Sequence, residues 1–229
     1  MSSAPPPLAI ELRDVTRRMG RDFVLRGVNL EIAAGKLVVL RGANGTGKTT
    51  LLRLLATRLR PTSGQAFVFG HELPRAGGAA RARLGLLNVT GGSFPMLDAR
   101  ENLELAIKLT PGAGGAAAGA LDAALAAVGL TAAANKIVRT YSSGMKKRLG
   151  LARLLLLDPE LWLLDEPYAA LDDAGKSLMD ECVSGAKARG RTVFMASHES
   201  DRDHLGPDAV LELSAGVLRL YDPLLGSAP

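Results

Sequence analysis

Residues Arg41-Gly42-Ala43-Asn44-Gly45-Thr46-Gly47-Lys48-Thr49-Thr50 lie between the apolar run Leu37-Val38-Val39-Leu40 and the amphipathic run Leu51-Leu52-Arg53-Leu54-Leu55. They fit the pattern G-x-x-x-x-G-K-[ST], with a strand before and a helix after. Three glycines within six positions let the backbone turn tightly and aim successive N–H groups inward. The helix that follows adds its free N–H donors and the positive end of its dipole, so the loop is built to hold an anion. The anion expected is a nucleoside triphosphate. The binding set is Gly42, Ala43, Asn44, Gly45, Thr46, Gly47, Lys48, Thr49 and Thr50, with Lys48 reaching the outer phosphates as a point charge and the Thr49 hydroxyl holding Mg²⁺. A Gly-rich strand-to-helix turn that binds nothing is the bland alternative.

A second group of reactive residues closes the apolar run Leu161-Trp162-Leu163-Leu164-Asp165-Glu166-Pro167. A core strand delivers Asp165 at its carboxyl end, where α/β sheets bind ligands, and an acid there can hold the Mg²⁺ that bridges phosphates. Glu166 follows, points elsewhere, and could orient and deprotonate an attacking water. Two acids that merely open a solvent turn are the competing reading. Between the two groups lies Tyr141-Ser142-Ser143-Gly144-Met145-Lys146-Lys147-Arg148, a Ser-Ser-Gly turn opening a basic helix. Hydroxyls and free N–H groups converge there at a positive helix end. Taken alone it is equally an N-cap.

These groups need a scaffold that brings them together. Leu8 to Val15 and Val24 to Ile32 alternate apolar and polar, as half-buried antiparallel strands do. The helix from Lys48 is expected to end near Arg60, before Pro61, and Ser63-Gly64 to form a turn ahead of a short strand over 66–69. From about Arg81 to Asp158 the chain is rich in Leu, Ala and Arg and reads as helical, with helices over about 99–109 and 121–128 and a mobile loop at Thr110 to Gly115. It returns to strands at Leu161 to Asp165, Thr192 to Ala196, Ala209 to Leu213 and Val217 to Leu220. Alternating strand and helix patterns imply a mainly parallel sheet with helices on its faces. The fold class is therefore α/β. The expected division is a core over 8–85 and 159–220, a helical subdomain over about 86–158, and tails at 1–7 and 221–229.

Composition narrows the function classes. A chain of 229 residues that is 47% hydrophobic buries one good core. Met1 to Pro7 lacks the basic and apolar regions of a signal peptide, and no window holds 18 uninterrupted apolar residues, so the chain itself is not expected to span a membrane. The single cysteine, Cys182, suits a reducing cytosol and reads as a small buried helix residue. A net charge of +5 raises the question of nucleic acid. The cations are scattered among acids, with three Tyr and one Trp for base stacking, and no nucleic-acid partner is expected.

The order of these motifs, with Gly144 lying 17 residues before Leu161, resembles the ATP-binding cassette (ABC) family over about Leu8 to Leu220. Gly42 to Thr49 is similar to that family's Walker A loop, Leu161 to Glu166 to its Walker B strand with the catalytic glutamate, and Tyr141 to Met145 to its LSGGQ signature. Ala170-Leu171-Asp172 looks like the D-loop and His198 like the switch histidine; His71 and His204 read as ordinary surface histidines. The resemblance implies a P-loop NTPase core with an N-terminal antiparallel β-subdomain and an inserted helical subdomain. It implies ATP and Mg²⁺ as cofactors, and Glu166, His198 and Lys48 as catalytic residues. It also implies a head-to-tail pair, as homodimer or heterodimer, in which Ser142, Ser143, Gly144, Met145 and Asp172 contact the ATP held by a second nucleotide-binding subunit.

Two departures stand out. Val89 or Thr90 falls where the Q-loop glutamine would contact Mg²⁺, so Thr90 joins Thr49 and Asp165 as the expected metal set. Met19 falls at the adenine-stacking register, with Phe23 nearby, so base contact is expected to be a soft thioether or aliphatic surface. The signature and the run Val68-Phe69-Gly70-His71-Glu72 are similar to ATPase subunits of bacterial exporters, including multidrug and haem-exporter branches. The implied function is an ATPase driving a separate transmembrane permease subunit, peripheral at the cytoplasmic face of the cell membrane and associated with it through that partner. The alternative is a soluble cassette ATPase acting on nucleic acid or ribosomes; a P-loop kinase would not need the signature.

Overall fold

Residues 6–88, 90–111, 119–197 and 203–221 are described in a computed structural model of the chain. The smaller sheet is antiparallel and contains β1 (Leu8–Met19), β2 (Asp22–Ala33), β4 (Ser63–Val68) and β5 (His71–Leu73), in the order β2-β1-β4-β5. Both long strands run several residues beyond the alternating stretches, because β1 and β2 pair as far as Met19 with Asp22. Ser63-Gly64 is absorbed into β4 rather than forming a free turn. Phe69 and Gly70 instead make the turn into β5, with φ of +47° and +75°. Two consecutive positive φ values match the twist of a two-residue hairpin, and Phe at the first of them hides the signal that Asn-Gly would give.

The larger sheet has the order β10-β9-β3-β8-β7-β6. It comprises β3 (Leu37–Arg41), β6 (Leu84–Leu87), β7 (Leu161–Asp165), β8 (Thr192–Ala196), β9 (Ala209–Ser214) and β10 (Val217–Leu220). Its neighbours run parallel except for the terminal pair of β9 and β10. The central strands are buried on both faces, which is why they read as continuous apolar runs. Their alternation divides the core in two. Val38, Leu40, Leu161, Leu163, Phe194 and Ala196 face the antiparallel sheet and the phosphate-loop helix. Leu37, Val39, Trp162, Leu164, Val193 and Met195 face the helices over 99–109, 120–127, 143–157 and 173–188. Each fully buried Leu or Val contributes about 1.5–3 kcal/mol.

Six helices complete the described chain: α1 (Lys48–Leu55), α2 (Gly77–Arg83), α3 (Ala99–Leu109), α4 (Ala120–Ala127), α5 (Ser143–Leu157) and α6 (Asp173–Ala188). α3 and α4 fall where their patterns place them, and Asp98 with Glu101 forms a capping box at the start of α3. α1 stops at Leu55, well short of Arg60. There Thr57 adopts φ +61°, its N–H donates to Leu54 O, and Arg58 N–H donates to Arg53 O at 2.8 Å. That is a Schellman stop with Thr where Gly is usual, so the sequence carries no stop signal before Pro61. β6 is a second correction. Leu84-Gly85-Leu86-Leu87 lies inside the stretch read as helical, yet pairs in parallel with β7. Gly85 is held there by close packing, because a Cβ on it would meet Leu154 Cδ2 at 2.3 Å. The loop expected at Thr110 to Gly115 lies from Gly112 onward outside the described residues. Cys182 is partly buried on α6, and burial pushes its thiol up to about 11.

Asp208 fastens the entrance of β3. Its carboxylate accepts from Leu37 N–H at 2.9 Å and pairs with Lys36 at 2.9 Å and Lys187 at 3.2 Å. Burial pushes this carboxyl up, but the Leu37 N–H and the two lysines outweigh it and hold its pKa at about 2. A folded pKa below the unfolded value of about 3.9 gives stability that is complete above about pH 5 and is lost as pH falls through about 2. Asp208→Asn should therefore cost ~2 kcal/mol at pH 7 and about half as much at pH 3. Urea unfolding of both proteins at those two pH values checks it; an unchanged gap would show that the ionised carboxylate is not the source.

Candidate functional site

β3 ends at Arg41 and the chain turns through Gly42 to Gly47 into α1. Two of the three glycines are sterically obligatory. A Cβ on Gly42, φ +149°, would meet Leu213 O at 2.4 Å, and one on Gly47, φ +110°, would meet Val24 O at 2.8 Å. The loop is thus wedged between β9 and β2, which fixes its N–H groups at the head of α1. No side chain caps that helix. Lys48 is 5% exposed, and its Nζ donates to Gly42 O at 2.6 Å while lying 3.5 Å from Glu166 Oε1.

The Thr49 hydroxyl, at the start of α1, donates to Asp165 Oδ1, at the end of β7, at 3.0 Å. Asp165 is 3% exposed. Burial, reinforced by the neighbouring Glu166 charge, pushes its carboxyl above the ordinary range, and the Thr49 hydrogen bond only partly opposes this. A buried carboxylate beside a hydroxyl, with a second carboxylate adjacent, suits a hard cation with oxygen ligands. No group of three or more His, Cys, Asp or Glu side chains clusters for a metal among the described residues. Two protein oxygens match an ion whose other ligands are water and phosphate.

Glu166 leaves β7 with φ +48°, a left-handed conformation unusual for a residue with a side chain. Its N–H donates to Ala196 O at 2.9 Å and its carbonyl accepts from Lys147 Nζ at 2.6 Å. The turn swings the side chain into the cavity lined by Met19, Val24, the loop residues Ala43, Asn44, Gly45 and Gly47, and Lys48, Thr49 and Thr50. So Asp165 faces Thr49 while Glu166 faces Lys48. Met19 lines this cavity, 51% exposed. Phe23 does not line it: Arg18 and Arg26 sit over its ring at 5.0 and 5.6 Å. Thr90 does not join the group either. It is exposed, and its hydroxyl donates to Asn88 Oδ1 at 3.2 Å. Asn88, immediately after the last β6–β7 pair of Leu87 with Leu164, is the residue that the sheet carries toward Asp165. Val89 and His198 lie outside the described residues.

The signature residues occupy a different surface. Ser142 caps α5, accepting from Met145 N–H at 3.2 Å, and Ser143 to Met145 form the first turn. Gly144 approaches the chain before α6, where a Cβ would stand 3.1 Å from Ala170 O. Asp172 caps α6 through Gly175 N–H and accepts from Arg148 at 2.9 Å. These residues line one depression with Lys136 and Leu130, and it shares no lining residue with the cavity around Lys48. The two groups of residues therefore line separate depressions of one chain.

Two features of α5 escaped the sequence reading. Lys147 is 1% exposed, and burial lowers its pKa to about 8 against the opposing pull of Asp165 and Glu166. In the sequence it is one of three consecutive cations of a basic helix, Lys146, Lys147 and Arg148. Its spacing to Leu151 and Leu154, four and seven positions on, marks the buried stripe instead. Arg153 donates to the carbonyls of Leu86, Gly91 and Gly92, at 2.6–3.2 Å. A Cβ on Gly150 would meet Gly91 O at 2.7 Å, so the loop after β6 is fastened directly on α5.

The sequence profile described as ABC transporter matches residues 25–169. The chain is 35% identical over 208 residues to the daunorubicin resistance ATP-binding protein DrrA3 of Streptomyces coeruleorubidus, covering 91% of this chain and 66% of that protein. It is 37% identical over 203 residues to the bacitracin transport ATP-binding protein BcrA of Bacillus licheniformis, covering 86% of this chain and 65% of that protein. With the cytochrome c biogenesis ATP-binding export protein CcmA of Hyphomonas neptunium the identity is 40% over 181 residues, covering 79% of this chain and 85% of that protein. The chain thus spans just under two thirds of the length of the first two relatives. Among solved structures, a dimeric ATP-binding cassette in a post-hydrolysis state bound to ADP and Pi superposes with a TM-score of 0.83 at 25% identity, covering 93% of this chain and 98% of that one.

Proposed function

We propose, starting from the fact that this chain belongs to the ABC transporter family, that it binds and hydrolyses ATP to drive a separate membrane-spanning permease subunit of an exporter. The observation that carries this reading is the 3.0 Å hydrogen bond from Thr49 to Asp165, which joins the phosphate loop to the acidic end of β7. Thr49 and Asp165 would hold Mg²⁺, which when bound neutralises charge on the β- and γ-phosphate oxygens. Lys48 exchanges its loop carbonyls for those oxygens. Glu166 orients a water in line with the γ-phosphorus and takes its proton as the new P–O bond forms and ADP leaves. Ser142 to Met145 and Asp172 of a second subunit close over the nucleotide. His198 is proposed as the further catalytic residue on the strength of its place after β8. The names of the relatives, which speak of drug resistance, bacitracin transport and export, support the exporter reading.

No helix among the described residues is long and apolar enough to cross a membrane, and the permease of this reading is a separate subunit. The groove between β6, α3 and α5 offers a surface for it. Phe94 and Leu109 are 52% and 65% exposed there, beside Arg58, Arg81 and Arg153. The chain would then sit peripherally at the cytoplasmic face of the membrane. A permease docked in this groove would press on the loop that Arg153 fastens to α5, a mechanical route that does not require the absent glutamine.

Fluorescent-nucleotide titration tests the binding half of this reading. With Met19 at the base face, affinity comes mainly from the phosphates, so GTP should bind within about tenfold of ATP, or roughly 1.4 kcal/mol. Met19→Tyr should tighten ATP, because stacking on an aromatic ring is worth about 1–3 kcal/mol. Lys48→Ala should abolish binding of both. A strong ATP preference that disappears in Phe23→Ala and survives in Met19→Ala would assign the base to Phe23 instead.

A further inference from the structure

We infer that Lys147 is a positioning residue for Glu166, tying the backbone of the general base to the signature helix α5. The inference rests on the assignment of Glu166 as general base. Glu166 sits in a left-handed conformation with φ +48°, which L-residues adopt only when their surroundings impose it. Three hydrogen bonds hold it here. Its N–H donates 2.9 Å to Ala196 O of β8, and its carbonyl accepts 2.6 Å from Lys147 Nζ and, at a longer 3.2 Å, from the Ala169 N–H of the following turn. Between them these bonds fix both peptide groups that flank the Glu166 Cα, and with them the direction in which the side chain leaves toward Lys48.

A buried lysine is an expensive way to fill space, since Met or Leu would occupy the same volume without desolvating an ammonium group. Lys147 is 1% exposed on α5, two residues beyond Met145 and five beyond Ser142. Its amine therefore spans from the first turns of the signature helix to the carbonyl of the catalytic carboxylate. When a second subunit engages Ser142 to Met145, any rotation or shift of α5 is passed to the Glu166 peptide through this bond. Lys147 touches neither nucleotide nor water in this scheme; it acts through Glu166.

The test uses the whole chain and the variant Lys147→Met, with Lys147→Gln measured in the same way should the Met variant not fold. The result expected is a kcat for ATP lowered fivefold or more, with KM and the fluorescent-ATP Kd within threefold of wild type and a thermal midpoint that is not lowered. In a Glu166→Gln background the same substitution should change single-turnover hydrolysis less than twofold, because groups that act as a unit are not additive. A kcat within fivefold of wild type, a Kd weakened in step with kcat, or an effect of full size in the Glu166→Gln background would each overturn the inference. Loss of turnover in Glu166→Gln with none in Lys147→Met overturns this inference alone. Retained turnover in Glu166→Gln itself removes the reading on which it rests.

Discussion

Glu166→Gln should cut ATP turnover by about a hundredfold or more while leaving ATP affinity within about threefold, because removing a general base typically costs that much of the chemical step. A hundredfold corresponds to about 2.7 kcal/mol of activation free energy. The geometry explains the separation of effects. The proposed phosphate contacts come from the loop at Gly42 to Gly47, Lys48 and Thr49, and the proposed metal ligands are Thr49 and Asp165, already joined by a hydrogen bond. Glu166 contributes none of these, and its Oε1 stands 3.5 Å from Lys48 Nζ. Gln keeps the size and the left-handed backbone but cannot accept a proton. Steady-state phosphate release and fluorescent-nucleotide titration measure the two quantities separately. Turnover within threefold of wild type would remove Glu166 as the base.

Local chemistry made the phosphate loop and the acidic end of β7 readable. Gly42, Gly47, Lys48 and Thr49 lie within eight consecutive residues, and the roles proposed for them depend on the backbone between one strand and the next helix. The same holds for Asp165 at the end of five buried residues. What escaped depends on contacts distant in sequence. Thr57 ends α1 through hydrogen bonds that any residue type can make, so no Gly or Pro announces the stop. Leu84 to Leu87 are an edge strand only because β7 pairs with them across more than seventy intervening residues. Thr90 illustrates the limit of register. Placed by aligning Arg100-Glu101-Asn102-Leu103 with the family's stretch, it has its hydroxyl engaged by Asn88. Lys147 could have been caught, since its spacing to Leu151 and Leu154 is that of a buried stripe, but two flanking cations disguised it.

Nucleotide-dependent pairing is the second large effect expected. Ser142 and Ser143 are exposed, and their depression and the Lys48 cavity are distinct half-sites on one chain. ATP held without hydrolysis should therefore join two chains head to tail, with each signature covering the other chain's nucleotide. Closing the pair brings the Ser142 hydroxyl and the free N–H groups of α5 onto the γ-phosphate, a charge-assisted contact at a helix N-terminus. An arginine side chain at 142 fills the space that closure needs. The most direct measurement is sedimentation velocity of Glu166→Gln with and without saturating ATP, alongside the double variant Glu166→Gln/Ser142→Arg. The single variant should be a dimer only when ATP is present, and the double variant a monomer under both conditions. A single variant that remains monomeric at saturating ATP, or a double variant that still dimerises with it, would contradict the paired site.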